Sequence, residues 1–285
     1  GDRWSRVRAR GQAIVGAGCH LGVPGRSAMP AAGARAVGVG AGAGVVSGLF
    51  GVGGGIVLVP YLVLARGWDQ KQAQATSLVM VAMAATAGLV QYALAGDVVW
   101  IAGAAVLVGG LIGAMIGSAL VARLQTWVLQ IGFALLLIAA AARLVTAPMT
   151  DAGETLPAID ALVLAAYVGS GIAMGVLSAL FGIGGGILLV PLLVTAFGYD
   201  IRLAAGTSLA VMGLIALVGA LRQSRQGATQ WRAGVLLGLG GIVGGLLGAA
   251  LAQWLPLTVL TWLFAALRVL TAVRLALAGW RSRAG

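Results

Sequence analysis

The sequence predicts an all-α polytopic membrane protein made of two inverted-topology repeats, each a glycine-broken helical hairpin plus three transmembrane helices. Three observations lead there. Charged residues are only 9% of the 285, and hydrophobic residues are 60%. A soluble domain carries roughly 25% charged residues, so this chain cannot cover a water-facing surface. Apolar runs long enough to span a bilayer as helices recur along it. One stretch of the first half also returns, in register, in the second.

The elements follow in order. Residues 1–35 hold Arg3, Arg6, Arg8, Arg10, Arg26 and Arg35 against one acid, Asp2. The apolar run that follows the first arginines is broken by glycine and contains His20, so it is a poor signal peptide. The stretch is read as a flexible, basic cytoplasmic tail. Repeat 1 covers 36–147, with apolar runs at 36–65, 73–95, 98–122 and 127–147. A polar linker, 148–157, carries Asp151 and Glu154. Repeat 2 covers 158–279, with runs at 158–197, 203–221, 233–254 and 257–279, and a basic tail closes the chain at 280–285. Helix is the form an isolated span takes in lipid. The runs lack the alternation of a membrane β-barrel.

The net charge of +11 would suggest nucleic acid in a soluble protein. Here no soluble stretch is long enough to fold as a basic domain, and basic residues mark cytoplasmic loops instead. Nucleic acid is therefore excluded as a partner, and the lipid bilayer takes its place. Cys19 is the sole cysteine and His20 the sole histidine, which rules out an internal disulfide and offers no metal site.

The repeat is explicit. SGLFGVGGGIVLVPYLV at Ser47–Val63 returns as SALFGIGGGILLVPLLV at Ser178–Val194, an offset of 131 residues. With that offset held and no gap, Asp69 meets Asp200, Thr76-Ser77 meets Thr207-Ser208, Trp100 meets Trp231 and Arg143 meets Arg274. The chain is a tandem duplication.

Charge predicts that the second copy is inverted. The loop after 73–95 carries Asp97 and no base, while its partner carries Arg222, Arg225 and Arg232. Equivalent loops of opposite bias belong on opposite sides. With the N-terminal arginines inside, Arg66, Lys71, Arg123, the Arg222–Arg232 loop, Arg281 and Arg283 also lie inside. The Asp97 loop, the acidic linker and the Asp200/Arg202 loop lie outside. This requires 36–65 and 158–197 each to enter and leave on one side. The second has 40 residues, roughly 60 Å as a single helix and about twice the bilayer core. Its glycine run gives a place to turn.

The glycines have two readings. Backbone N–H groups at Gly53, Gly54, Gly55, Gly184, Gly185 and Gly186 would form an anion site where a helix restarts. Alternatively, glycine simply allows close helix packing. Pro60 and Pro191 lie past the first helical position and are expected to kink the restarted helix. Thr76, Ser77, Thr207 and Ser208 either donate to an anion or cap and join helices. Gly109/Gly113/Gly117 and Gly240/Gly244/Gly248 are read as packing stripes. Arg268, halfway along the last run, either attracts an anion or snorkels to the cytoplasm. Trp68, Trp100, Trp127, Trp231, Trp254 and Tyr199 fall at run ends, where aromatic belts form. No Asp or Glu lies deep in any apolar run, which favours an anion over a cation.

The duplicated F-G-[VI]-G-G-G-I-x-L-V-P, each copy followed by D-x-[KR] and Thr-Ser, resembles the sulfite exporter TauE/SafE family of membrane permeases. The resemblance covers about 36–279. It implies secondary export of small sulfur-containing anions such as sulfite or organosulfonates, by alternating access, without ATP, cofactor or catalysis. It also implies an integral protein of the bacterial plasma (inner) membrane, and the charge distribution puts both termini in the cytoplasm. It names neither the coupling ion nor the oligomer. The second hypothesis is a non-transporting membrane partner or assembly protein in which the glycine breaks are purely structural.

Overall fold

The computed structural model describes residues 33–121, 160–181, 186–225, 227 and 229–284, with backbone alone at some positions, Arg268 among them. The run 127–147, the linker 148–157, residues 1–32 and Gly184 and Gly185 lie outside the described residues. Internal contacts divide the chain into Gly1–Gly33 and Ala34–Gly285, and the helices described belong to the second unit.

Among the described residues all regular structure is helical. Helix α1 is Gly33–Phe50. Helix α2 is α-helical over Gly55–Pro60 and continues as a π-helix over Tyr61–Ala65. Pro60 lacks an N–H and so removes a link of the α ladder, and the helix widens directly after it. Helix α3 is Gln70–Leu94, α4 Trp100–Val121, α5 Ala161–Phe181, α6 Gly186–Phe197, α7 Ile201–Ser224, α8 Trp231–Trp254 and α9 Leu257–Ala284. Four of them, at Gly33–Phe50, Lys71–Leu94, Ile201–Ser224 and Trp231–Trp254, are long and apolar enough to cross a membrane. Long apolar side chains such as Leu94, Met115, Leu162 and Leu247 are exposed along the helices, as a lipid-facing surface requires.

The D-x-[KR] stretches start the second long helix of each repeat. Asp69 Oδ2 accepts from the Lys71 N–H at 3.0 Å, and Asp200 Oδ1 accepts from the Arg202 and Leu203 N–H groups at 2.7 and 2.9 Å. Each aspartate is the N-cap that occupies the unpaired donors of a first turn.

Packing rests on glycine. Helices in lipid gain little from hydrophobic exclusion and depend on close van der Waals approach. Helix α1 lies parallel to α8, with Gly40, Gly44 and Gly48 on the backbone at Leu237, Gly241 and Gly245. Helix α5 lies parallel to α4, with Gly171 and Gly175 on the backbone at Val106 and Gly110. These are the same contacts shifted by 131 residues, with the two repeats exchanged. The stripes read from sequence, Gly109/Gly113 and Gly240/Gly244, are the facing halves of these interfaces. Helices α3 and α7, themselves repeat mates, run antiparallel, with Gly206 at Tyr92, Gly88 at Leu209, Gly213 at Thr86 and Gly219 at Leu78.

The charged loops sort to the two ends. The Asp97 carbonyl packs on Gly206 at the start of α7, and the Asp97 carboxylate accepts from Gln253 Nε2. Arg202 donates to the Ala252 and Leu255 carbonyls at 3.1 and 2.7 Å, covering the C-terminus of α8. The loop after α7, flanked by Arg222, Arg225 and Arg232, meets the other end of α3, where the Gln230 N–H donates to Thr76 Oγ1 at 3.1 Å.

The aromatic expectation holds in part. Trp100, Trp231 and Trp254 are exposed at helix ends. Trp68 and Tyr199 are buried instead. Each sits in the tight turn after a short helix, where the Trp68 N–H reaches the Leu62 carbonyl and the Tyr199 N–H reaches that of Leu193. The Tyr199 hydroxyl is also paired with that of Tyr167 at 2.6 Å.

Candidate functional site

The chain turns back on itself at the first glycine run. Gly51 and Gly53 have φ of 63° and 66°, the left-handed region that glycine enters without penalty. The Gly51 N–H donates to the Ser47 carbonyl at 2.8 Å, ending α1. Gly54 then lies on the Ala43 carbonyl, too close for a side chain, its absent Cβ being 2.7 Å from the carbonyl carbon. Ala43 is on α1, two turns before Gly51, so α2 returns alongside α1. The first repeat therefore contains the glycine-broken hairpin that the sequence predicts.

The second break reaches the first. A Cβ on Gly186, the first residue of α6, would lie 3.0 Å from both the Gly51 carbonyl oxygen and Val52 Cα. The same Cβ would overlap the Met212 sulfur, and a Cβ on Gly53 would lie 2.8 Å from Met212 Cε. The buried thioether of Met212 thus fills the space between the two breaks. Val81, its repeat mate, lies against the same position of Gly53 and beside Gly55. Gly55 is the roomiest of the first-break glycines near this point: a Cβ there would meet Val81 Cγ2 at 3.5 Å and Ser77 Oγ at 3.9 Å. Among the described residues, no hydrogen-bond acceptor is paired with the N–H groups of Gly53, Gly54 or Gly55.

The four hydroxyl residues split into two pairs. Neighbours on a helix point about 100° apart, and the structure uses both directions. Thr207 Oγ1 accepts from the Val99 N–H at 3.0 Å, and Thr76 Oγ1 accepts from the Gln230 N–H at 3.1 Å. These are repeat-equivalent bonds that tie each repeat to the start of the other's α4 or α8. Both threonines are fully buried. The serines face the breaks. Ser208 Oγ donates to the Gly51 carbonyl at 2.7 Å, crossing from the second repeat to the first break. Ser77 Oγ donates to the Gln74 carbonyl at 2.9 Å, beside Gly55. The Thr-Ser dipeptides and the glycines are therefore brought together, and the serines are the members at the breaks.

Arg268 lies one turn after Phe264, whose ring meets that of Phe50 edge-on at 5.3 Å. This places the α9 backbone near the end of α1; the side chain of Arg268 is outside the described residues.

Two residues escaped the sequence reading. Met212 looks like any apolar residue of its run, although its mate being valine marks a difference between the repeats. Ser47 opens the duplicated motif. It is fully buried, with no hydrogen-bond partner for its hydroxyl.

A separate cavity of about 730 Å³ lies among α3, α4, α7 and α8, lined by Met83, Thr86, Trp100, Leu107, Val211 and Leu214 among others. Its lining is almost wholly apolar, and the Thr86 hydroxyl is bonded to the Ala82 carbonyl at 2.7 Å. It offers an anion no convergent set of donors.

The family profile described as sulfite exporter TauE/SafE matches residues 8–144 and 167–285. It starts well before Ala36, where the motif-based resemblance was placed, and it omits the region around the linker. A "Probable membrane transporter protein" of Xylella fastidiosa (strain 9a5c) is 32% identical over 221 residues, 76% of this chain and 83% of its own length. The "Probable membrane transporter protein YunE" of Bacillus subtilis is 28% identical over 232 residues, 73% and 84% of the two chains. A Haemophilus influenzae protein of the same description is 31% identical over 177 residues, 60% and 65%. No solved structure matches. On a match that takes in both repeats, the chain belongs to the sulfite exporter TauE/SafE family of integral membrane transport proteins.

Proposed function

We propose that the protein is a secondary transporter that exports small sulfur-containing anions, such as sulfite or organosulfonates, by alternating access of two inverted repeats. The observation that carries this reading is the convergence of the two breaks. Gly186 abuts Gly51 and Val52, beside N–H groups of Gly53–Gly55 that face no acceptor among the described residues. Unpaired donors away from water are costly, and an oxyanion supplies what they lack. Gly184 and Gly185 would add the equivalent groups of the second break, and Arg268 would draw the anion in. Binding by dipoles rather than by a full countercharge suits a substrate that must also be released.

Inversion is supported by the antiparallel course of α3 and α7 and by the exchanged contacts of α1–α8 and α5–α4. The end that carries Lys71, Arg222, Arg225 and Arg232 is assigned to the cytoplasm, with both termini, in a bacterial inner membrane. A reporter fused near Asp151 tests this; cytoplasmic reporting there would overturn it.

The decisive experiment is flux of labelled sulfite and of a labelled organosulfonate in proteoliposomes, with Gly55→Ala beside wild type. A methyl group fits at Gly55 without displacing a neighbour, yet it narrows the space in front of the N–H groups. Flux in wild type and its loss in Gly55→Ala, with normal insertion, is expected. Full flux in Gly55→Ala would remove the anion site. No flux from wild type with any anion would favour a non-transporting partner, whose structural glycine is exemplified by Gly54 on the Ala43 carbonyl.

A further inference from the structure

Resting on that reading, we propose that Ser47 is the side-chain ligand of the anion: its hydroxyl is the donor that the site holds in reserve inside the bend of the first break. The bend encloses this residue. Ala43, one turn earlier on the same face of α1, lies against Gly54, and the carbonyl of Ser47 itself takes the Gly51 N–H at 2.8 Å. The segment Gly51–Gly54 therefore arches over position 47.

The hydroxyl is fully buried and bonded to nothing. A buried serine in a helix ordinarily returns its proton to the carbonyl four residues back. Here that carbonyl belongs to Ala43, and Gly54 covers it. The same close approach that closes the hairpin thus leaves Ser47 without its usual partner. Such orphaned groups are rare in folded proteins and call for a reason.

Chemistry points to an oxyanion. Ser208 and Ser77, the other serines at this break, already donate to the Gly51 and Gln74 carbonyls. Ser47 keeps its proton, and the neighbouring backbone at Gly53–Gly55 presents further N–H groups. One hydroxyl and several amide donors carried by a single bend match a small anion with three or four oxygens. A cation would need a set of acceptors, whereas the groups left unpaired at this bend are donors.

The test uses the full-length protein in detergent and its thermal unfolding, with sodium sulfite and sodium methanesulfonate as probes and sodium chloride as the ionic-strength control. Wild type should be stabilised by at least one of the two probes. Ser47→Ala should unfold at the same temperature as wild type or higher without ligand, because an unpaired buried hydroxyl has been removed. The concentration giving half the stabilisation should rise about tenfold to a hundredfold, as for one lost hydrogen bond to a charged group. This opposition of stability and binding separates a ligand from a structural serine. An equal response in Ser47→Ala would overturn the role of Ser47 and leave the transporter reading intact. A lower melting temperature of ligand-free Ser47→Ala would also overturn it, by showing that the hydroxyl has a partner within the fold. No response of wild type to either probe would overturn both.

Discussion

Alternate glycines of α1 differ sharply in what they face, and that difference can be measured. A Cβ on Gly40 would overlap the Leu237 carbonyl oxygen and lie 2.8 Å from its carbon. Gly42, two residues on, has nothing within 4 Å of the same position. Carbon atoms in contact sit at about 3.5–4.0 Å, so Gly40→Ala forces α1 and α8 apart by roughly 1 Å. The displacement is shared by the Gly44–Gly241 and Gly48–Gly245 contacts, because these helices meet backbone to backbone. Overpacking of this kind costs about 1–3 kcal/mol. Gly42→Ala meets no obstacle and gains helix propensity, so it should be neutral or stabilising by up to about 1 kcal/mol. Gly171→Ala, the repeat mate of Gly40→Ala, would overlap the Val106 carbonyl oxygen in the same way and should lose a similar amount. The assay is reversible unfolding in mixed micelles, with each variant compared with wild type. Equal effects at Gly40 and Gly42, or a large difference between Gly40 and Gly171, would refute both the packing and its exchange between repeats.

Other expectations follow from single groups. Thr76→Val and Thr207→Val each remove the acceptor for one N–H, of Gln230 and of Val99; each should cost about 1–3 kcal/mol in the same unfolding assay, and an undiminished double variant would contradict the bonds. Burial raises the Asp97 carboxyl above the ordinary carboxylate range, with Asp200 adding to the rise and the Gln253 hydrogen bond and Arg202 opposing it. The folded protein then keeps a proton that the unfolded chain has released, so Asp97 favours folding at low pH, and this contribution is lost as pH climbs through the raised value. Asp97→Asn should flatten that fall, and melting temperatures that track wild type across the same pH range would exclude it. Met212→Ala should open the space between Gly53 and Gly186 and raise flux of bulky sulfonates relative to sulfite; an unchanged ratio would show that the thioether does not limit access.

Much of this arrangement is legible in the sequence because the duplication is gapless. Register alone pairs Gly40 with Gly171 and Thr76 with Thr207, and the glycine stripes reveal which faces approach closely. The hairpin of the first repeat is legible too, since the glycine run that interrupts 36–65 also interrupts 158–197, whose 40 residues are too long for one span. The partners of each face are not. Nothing in the composition of α1 says that it leans on α8 of the other repeat, because glycine fits any close neighbour. The Thr-Ser dipeptide is likewise ambiguous: a rotation of about 100° sends its two hydroxyls to different neighbours. Ser47 is not legible, because a helical serine usually bonds to its own helix; only the position of Gly54 on the Ala43 carbonyl sets it apart. Trp68 and Tyr199 read as belt residues from their place at run ends, but turn geometry carries them inward.

The exchange of contacts bears on how such a protein would move. Helix α8 lies against α1 and also against α3, where Gly234, Gly238 and Gly241 face Val79, Met83 and Met80. By the same logic α4 lies against α5 and against α7, where Gly103 and Gly110 face Thr207 and Ile215. The exchange groups helices of both repeats, α1–α3–α8 and α5–α7–α4, and we propose these two groups as the moving bodies. The α1–α8 and α5–α4 interfaces are backbone contacts with no room to slide, while α8–α3 and α4–α7 meet mainly through side chains. The seam between the bodies includes the antiparallel pair α3–α7, and it passes the break region through Ser208 and Met212. Alternating access would then be a rocking of these mixed bodies rather than of one repeat against the other. In a chain with Cys19→Ser, a short thiol cross-link between Leu78→Cys and Gly219→Cys bridges α3 and α7 and should stop flux. A cross-link between Gly103→Cys and Val211→Cys joins α4 to α7 within one body; a Cβ at Gly103 fits 3.9 Å from Val211 Cγ2, and this link should leave flux intact. The opposite result, with the 103–211 link blocking and the 78–219 link tolerated, would place the moving surface inside a body and refute the division.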